Sequence, residues 1–181
     1  MKKFLRYLVL SIMALGFCLP AFGRAEAATV ALLPLVNNVQ DDELASQVFY
    51  KEAMAVLNSN PGIVLVENDK LLAAIEANKT TGAVPSEAAL AKIAKDGDVD
   101  VVIAMQLDVL NDEALRSSEG DRLQLDIQGY AVAYNRLTGE YYNHRIYNDD
   151  IIPEVFSSRW DVTHEEWGKA VRYEVRRILK M

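Results

Sequence analysis

The sequence predicts a single α/β domain, a mixed parallel and antiparallel sheet of about five strands covered by helices, in the order βαβααβββα. Three observations carry this. In the first half, short apolar runs rich in β-branched residues alternate with stretches of helical periodicity, the pattern of parallel strands joined by helices. In the second half, strict period-two alternation runs into a short turn and a returning strand, which forces antiparallel pairing. The 154 residues from Ala28 to Met181 are enough to bury one core and show no repeat, low-complexity tract or second domain.

Ahead of that domain, Met1-Lys2-Lys3-Phe4-Leu5-Arg6 is a basic opening, Tyr7 to Phe17 is apolar, and Cys18, Leu19 and Pro20 follow. That order is the signature of an export signal. Pro20 and Gly23 break the apolar run well short of the roughly 20 residues a membrane span needs. Small residues at Ala25-Glu26-Ala27 place cleavage after Ala27, with Ala21-Phe22-Gly23 as a second candidate. Residues 1–27 are therefore expected to be a signal peptide and 28–181 the folded domain, in the periplasm or elsewhere in a bacterial cell envelope. Cys18 is the one position for lipid attachment, though bulky Phe17 stands where a small residue is wanted. Membrane contact is expected only through lipidation at Cys18 or peripherally.

The elements follow in order. Thr29 to Val36 reads as a buried strand, with Pro34 tolerable only near its end. Asp41 or Asp42 caps a helix through Ser59 whose Ala45, Val48, Phe49, Ala53, Val56 and Leu57 recur at helical spacing. Asn60-Pro61-Gly62 breaks the chain before Ile63-Val64-Leu65-Val66, a second buried strand. Asn68 starts a short helix through Asn78; Ser86 caps a third, which Gly97 ends. Val101 to Leu110 is a strand leaving the covered centre of the sheet, and polar Asn111 to Gly120 reads as a mobile loop. From Arg122 to Asn135, Leu123, Leu125, Ile127, Ala131 and Ala133 point one way. The turn Arg136-Leu137-Thr138-Gly139 places glycine at the left-handed position, and Glu140 to Asn148 returns. A capping box, Thr163 and Glu166, opens a final helix to Met181.

Composition then excludes several functions. Loss of the signal removes Lys2, Lys3, Arg6, Arg24 and Glu26, deepening the formal charge from −7 to −10, which argues against binding nucleic acid through phosphate neutralisation. The lone cysteine goes too, so the domain has neither disulfide nor thiol nucleophile. Asp96-Gly97-Asp98-Val99-Asp100 opens like a calcium loop but has Val101 and Leu107 where Gly and Glu are required. His164-Glu165 lacks the second zinc-binding histidine, since Gly168 stands there; both His144 and His164 are expected at the surface or in the hairpin. Asn78-Lys79-Thr80 matches a glycosylation triplet by chance in a loop. No cofactor motif, nucleophile elbow or phosphate loop is present.

Two groups of residues remain as candidate contacts for a protein partner. Tyr130, Tyr134, Tyr141, Tyr142 and Tyr147 crowd the hairpin with His144 and Arg145, the composition of binding hot spots and equally of cross-strand aromatic pairs. The last helix carries Lys169, Arg172, Arg176, Arg177 and Lys180 against Glu174, a basic stripe on an acidic protein or simply a solvated face. The reading is a non-catalytic envelope interaction or assembly module. A periplasmic small-ligand binder, or a hydrolase with an acidic site dispersed in sequence, are the alternatives. No sequence feature sets an oligomeric state.

Val30-Ala31-Leu32-Leu33-Pro34-Leu35-Val36-Asn37-Asn38, then Ile63-Val64-Leu65-Val66-Glu67-Asn68, Thr81-Gly82, Gly97-Asp98-Val99-Asp100-Val101-Val102-Ile103 and Thr138-Gly139-Glu140 form a familiar succession. It resembles the superfamily of the curli-secretion lipoprotein CsgG, the amino-terminal domain of TolB and the lipoprotein activators of penicillin-binding proteins. The resemblance covers about residues 29 to 148 and implies a mixed α/β fold and non-catalytic work in secretion, envelope assembly or wall-synthesis control. It offers no catalytic residue to carry over. The chain departs from it at the Phe17-Cys18 context, at Ala104 where relatives often have Gly, and in lacking long amphipathic insertions that would line a channel.

Overall fold

The computed structural model describes residues 27–40, 42–117, 120–153 and 158–181. All of the expected export signal except Ala27, Cys18 included, lies outside the described residues. The elements are β1 (Ala28–Leu32), β2 (Val36–Asn37), α1 (Glu43–Asn58), β3 (Ile63–Leu65), α2 (Asp69–Asn78), α3 (Glu87–Gly97), β4 (Val101–Ser117), β5 (Gly120–Asn135), β6 (Glu140–Asn148), β7 (Ile151–Pro153) and α4 (Arg159–Ile178). Setting aside the short β2 and β7, the order is the predicted βαβααβββα. The sheet runs β3-β1-β4-β5-β6, with β2 also on β4 and β7 also on β5. β1 is parallel to β3 and β4, while β4, β5 and β6 are successively antiparallel.

Local chemistry places most boundaries. Pro34 stops β1, and the chain rejoins β4 two residues later as β2. Asp42, Asn68 and Ser86 each accept a hydrogen bond from the third amide onward, at 3.0, 2.8 and 3.4 Å, and so open α1, α2 and α3. At the end of α3 the left-handed residue is Asp98, with φ 54°, not Gly97. Gly97 is needed for space instead, since a Cβ there would meet Leu71 Cδ1 at 2.8 Å. The hairpin turn is as predicted, with Gly139 at φ 75°.

Two helical layers sandwich the sheet. α1 and α4 cover one face, where Phe49, Met105, Leu107, Ile127, Trp167 and Val171 form the larger core. α2 and α3 cover the other over Leu71, Leu90, Ile93, Val102 and Val132. Fully buried Phe49, Leu57 and Ile103 each contribute about 1.5–3 kcal/mol by leaving water. Trp167 is fully buried and donates its indole N–H to Ala45 O at 3.1 Å, so its one polar atom costs little.

Four expectations are corrected. Ile63–Leu65 is a sheet edge with Val64 half exposed, because β1 pairs with β4 on its other side and leaves β3 outermost. The stretch expected as a loop after Leu110 is strand: β4 continues to Ser117 and pairs with β5 down to Gly120. Leu123 and Leu125 of this part of β5 are buried with Val162 and packed by Ile152, so an apolar face holds the extended ladder in place despite the polar sequence of β4. A bulge between Leu107 and Val109 resets the alternation, so Leu107 and Leu110 both reach the larger core. The final helix begins at Arg159, four residues before the expected capping box, because Val162 must close over the hairpin. Thr163 lies inside it, with its hydroxyl 3.0 Å from Asp112 Oδ2 and 2.9 Å from Arg159 O. The fourth correction is His164, which is buried.

Candidate functional site

The hairpin residues divide by parity. Successive residues of a strand point to opposite faces, so the tyrosine-rich set cannot form one patch. Tyr142, His144 and Ile146 turn toward α4, whereas Tyr141, Arg145 and Tyr147 turn away with Tyr130 and Tyr134 of β5.

On the α4 side, the centre is Glu174, only 2% exposed. Its Oε2 accepts the Tyr142 hydroxyl at 2.6 Å, and its Oε1 lies 3.0 Å from His144 Nδ1, an alignment too poor for a hydrogen bond. Burial first, then the Glu174 bond and charge, push the Tyr142 phenol far above its ordinary value. The Arg177 guanidinium lies over both Tyr142 and Tyr173, at 5.5 Å from each ring centroid. A groove of about 380 Å³ runs between β6 and α4, lined by His144, Ile146, Lys169, Tyr173 and Glu174 among others. Lys169, bonded to Glu166 and Glu165, is held above its usual range at the rim.

On the opposite side, Tyr134 and Tyr141 face each other across β5 and β6 and pack half-buried under α3. Burial, reinforced by nearby Glu87, raises the Tyr141 phenol. Past the end of α3 the sheet face is open. Tyr130, Arg145 and Tyr147 stand exposed there, with Arg145 5.6 Å from the Tyr147 centroid and bonded to Gln128 at 3.1 Å. Asp149 raises the Tyr147 phenol by its charge.

The basic stripe of α4 also divides. Arg172 is tied to Glu52 of α1, and Lys169 to its own helix. Arg176 remains exposed beside Ser59 and Pro61, outside the groove between β6 and α4.

Two buried groups escaped the sequence reading. His164 is 3% exposed, with Nε2 at 2.9 and 3.1 Å from the Asp42 carboxylate and Nδ1 at 2.7 Å from Trp160 O. Glu174 stands in the sequence among the charges of a basic helix that reads as a solvated face. Both sit on the stripe of Trp167, Val171, Val175 and Ile178, and that helical spacing was the available signal.

A separate apolar groove of about 290 Å³ lies between Leu33–Val36 and the end of α2. Its polar groups are spent on each other, Lys79 on Glu76 at 2.9 Å and Thr80 on Ala83 O at 2.5 Å, so none converges on a ligand. Among the described residues no cluster of three or more His, Cys, Asp or Glu could hold a metal, and no helix is long and apolar enough to cross a membrane.

No family model matches the chain, and no curated protein matches it. Solved structures do. The hypothetical protein CT253 from Chlamydia trachomatis superposes with a TM-score of 0.44 at 12% identity, over 84% of this chain and 94% of that one. Lipoprotein GNA1162 from Neisseria meningitidis gives 0.44 at 13%, over 85% and 99%. LpoB from E. coli gives 0.41 at 12%, over 71% of this chain and 59% of LpoB. At such scores and identities the superpositions carry no functional argument, and the functional reading rests on the site.

Proposed function

We propose that this chain is an exported, non-catalytic module of the bacterial cell envelope that docks a protein partner on the open end of its sheet. The observation supporting this is the face beyond α3, where Tyr130, Arg145 and Tyr147 are exposed together on a rigid three-strand platform. Tyrosine and arginine offer large contact area and directed hydrogen bonds with few rotors to freeze, and strands hold them more firmly than a loop would. The export signal supplies the compartment.

The test is a triple variant, Tyr130→Ala, Arg145→Ala and Tyr147→Ala, exported from its own signal and cross-linked in the intact envelope. Exposed positions should leave the melting temperature within a few degrees of wild type, while the partner cross-link falls by about tenfold or more. An undiminished cross-link overturns this face, and recovery of the protein in the cytoplasm overturns the compartment.

A further inference from the structure

The two edges of the sheet are built differently. β3 is only three residues long, too short to template another strand. β6 spans nine residues, Glu140–Asn148, in unbroken register with β5, with no proline, lysine or bulge. Among the described residues nothing pairs with its outer side. A long, regular edge of this kind presents a full row of backbone donors and acceptors.

We propose that β6 pairs antiparallel with β6 of a second copy of this chain, joining two sheets into one about a two-fold axis. This goes beyond the docking face described above and does not depend on it. In such a pair, opposed residues share a face and the same parity, so the axis must pass through a residue and not between two neighbours. Centred on Asn143, the pairing is self-complementary. Tyr141 opposes the second copy's Arg145, and Tyr142 opposes its His144, each contact occurring twice. Centring on His144 instead would set that histidine against itself.

The groove beside β6 supports the second copy as occupant. An added strand needs room on the α4 side for alternate side chains, and the 380 Å³ between β6 and α4 provides it. In the Asn143-centred register Glu140 opposes the second copy's Ile146, which lines that groove together with Lys169. Glu140 is exposed, and the Lys169 side chain is 50% exposed at the rim, so an acid from one copy meets a base on the other.

Sedimentation of the exported protein over a concentration series tests this. The wild type is expected to dimerise. Glu140→Lys and Lys169→Glu should each weaken the dimer by about tenfold or more through like-charge contacts, and the double reversal should restore it. Both residues lie on the surface, so circular dichroism should show every variant folded. A wild type that stays monomeric overturns the proposal, as do single reversals that dimerise like wild type or a double reversal that fails to recover. Neither reversal touches Tyr130 or Tyr147, so this result stands apart from the partner cross-link.

Discussion

Asp100 ties together three parts of the chain that meet at one end of the sheet. Its carboxylate accepts from the Thr29 amide at 2.9 Å, the Thr29 hydroxyl at 2.7 Å and Arg136 at 3.0 Å, joining β1, β4 and the β5–β6 turn. Burial alone would raise this carboxyl, but the bonds from Thr29 and then Arg136 outweigh it and hold the group below the ordinary range. A group depressed in the folded state adds stability above its unfolded value, near pH 4, and that stability is lost as pH falls through the lower folded value. Asp100→Asn keeps the shape without the charge. It should cost about 1–3 kcal/mol at pH 7, leaving Thr29 and Arg136 poorly paired, and should flatten the acid limb of the stability curve. Urea midpoints measured from pH 7 to pH 2 check this, and parallel curves for the two proteins would sink it. The sequence presents Asp100 in a failed calcium loop, Thr29 at the start of a strand and Arg136 in a hairpin turn, with nothing to join them. A contact 71 residues apart leaves no local pattern, and the same holds for Gly129, whose Cβ would lie 2.1 Å from Gln106 O.

Local periodicity wrote the elements well wherever one apolar face decided the matter. α1, α3 and β6 appear close to their expected bounds because caps, breakers and stripes agree there. It failed where tertiary packing overrode local polarity. Asn111 to Ser117 has loop composition yet forms strand, because Leu123 and Leu125 across the hairpin must be buried. The binding candidates suffered differently: the sequence displayed tyrosines as a cluster, and the pleat then sorted them onto two faces. The pairing of α1 with α4 was also invisible. It rests on Arg172 with Glu52, on Gly168, whose Cβ would crowd Val48 Cγ1 at 3.3 Å, and on Asp42 with His164. Asp42 both caps α1 and receives His164 of α4, while the other ring nitrogen faces Trp160 O, so both nitrogens of the ring are occupied. His164→Ala should leave the buried carboxylate short of a partner and cost about 1–3 kcal/mol or more. His164→Gln, which can still donate to Asp42, should recover part of it. Denaturant unfolding separates the cases, and a His164→Ala protein as stable as wild type would show that the pair contributes nothing to docking the helices.

At the scale of the whole molecule, the fold is thick at one end and thin at the other. Near Val102–Leu107 and Ala131–Tyr134 the sheet carries helices on both faces, and its strands lie in the two main cores. Toward Asn111–Leu115 and Arg122–Asp126 the packing among the described residues lies on one face, where Leu123 and Leu125 meet Val162 and Ile152 in a small satellite cluster. Local opening energy follows buried apolar contact, so amides at the thick end should exchange only through global unfolding. Those of the thin end should exchange through a partial opening that leaves both main cores closed. Hydrogen exchange followed by mass spectrometry should therefore show the far hairpin labelling well before the centre, with the gap closing in urea as global unfolding overtakes it. Leu125→Ala should widen the gap, since it weakens the satellite cluster without entering either main core. Uniform exchange along β4 and β5 would mean that the sheet opens as one unit, and would remove the thermodynamic distinction between the sandwiched centre of the sheet, where Tyr130 pairs level with Gln106, and its far hairpin.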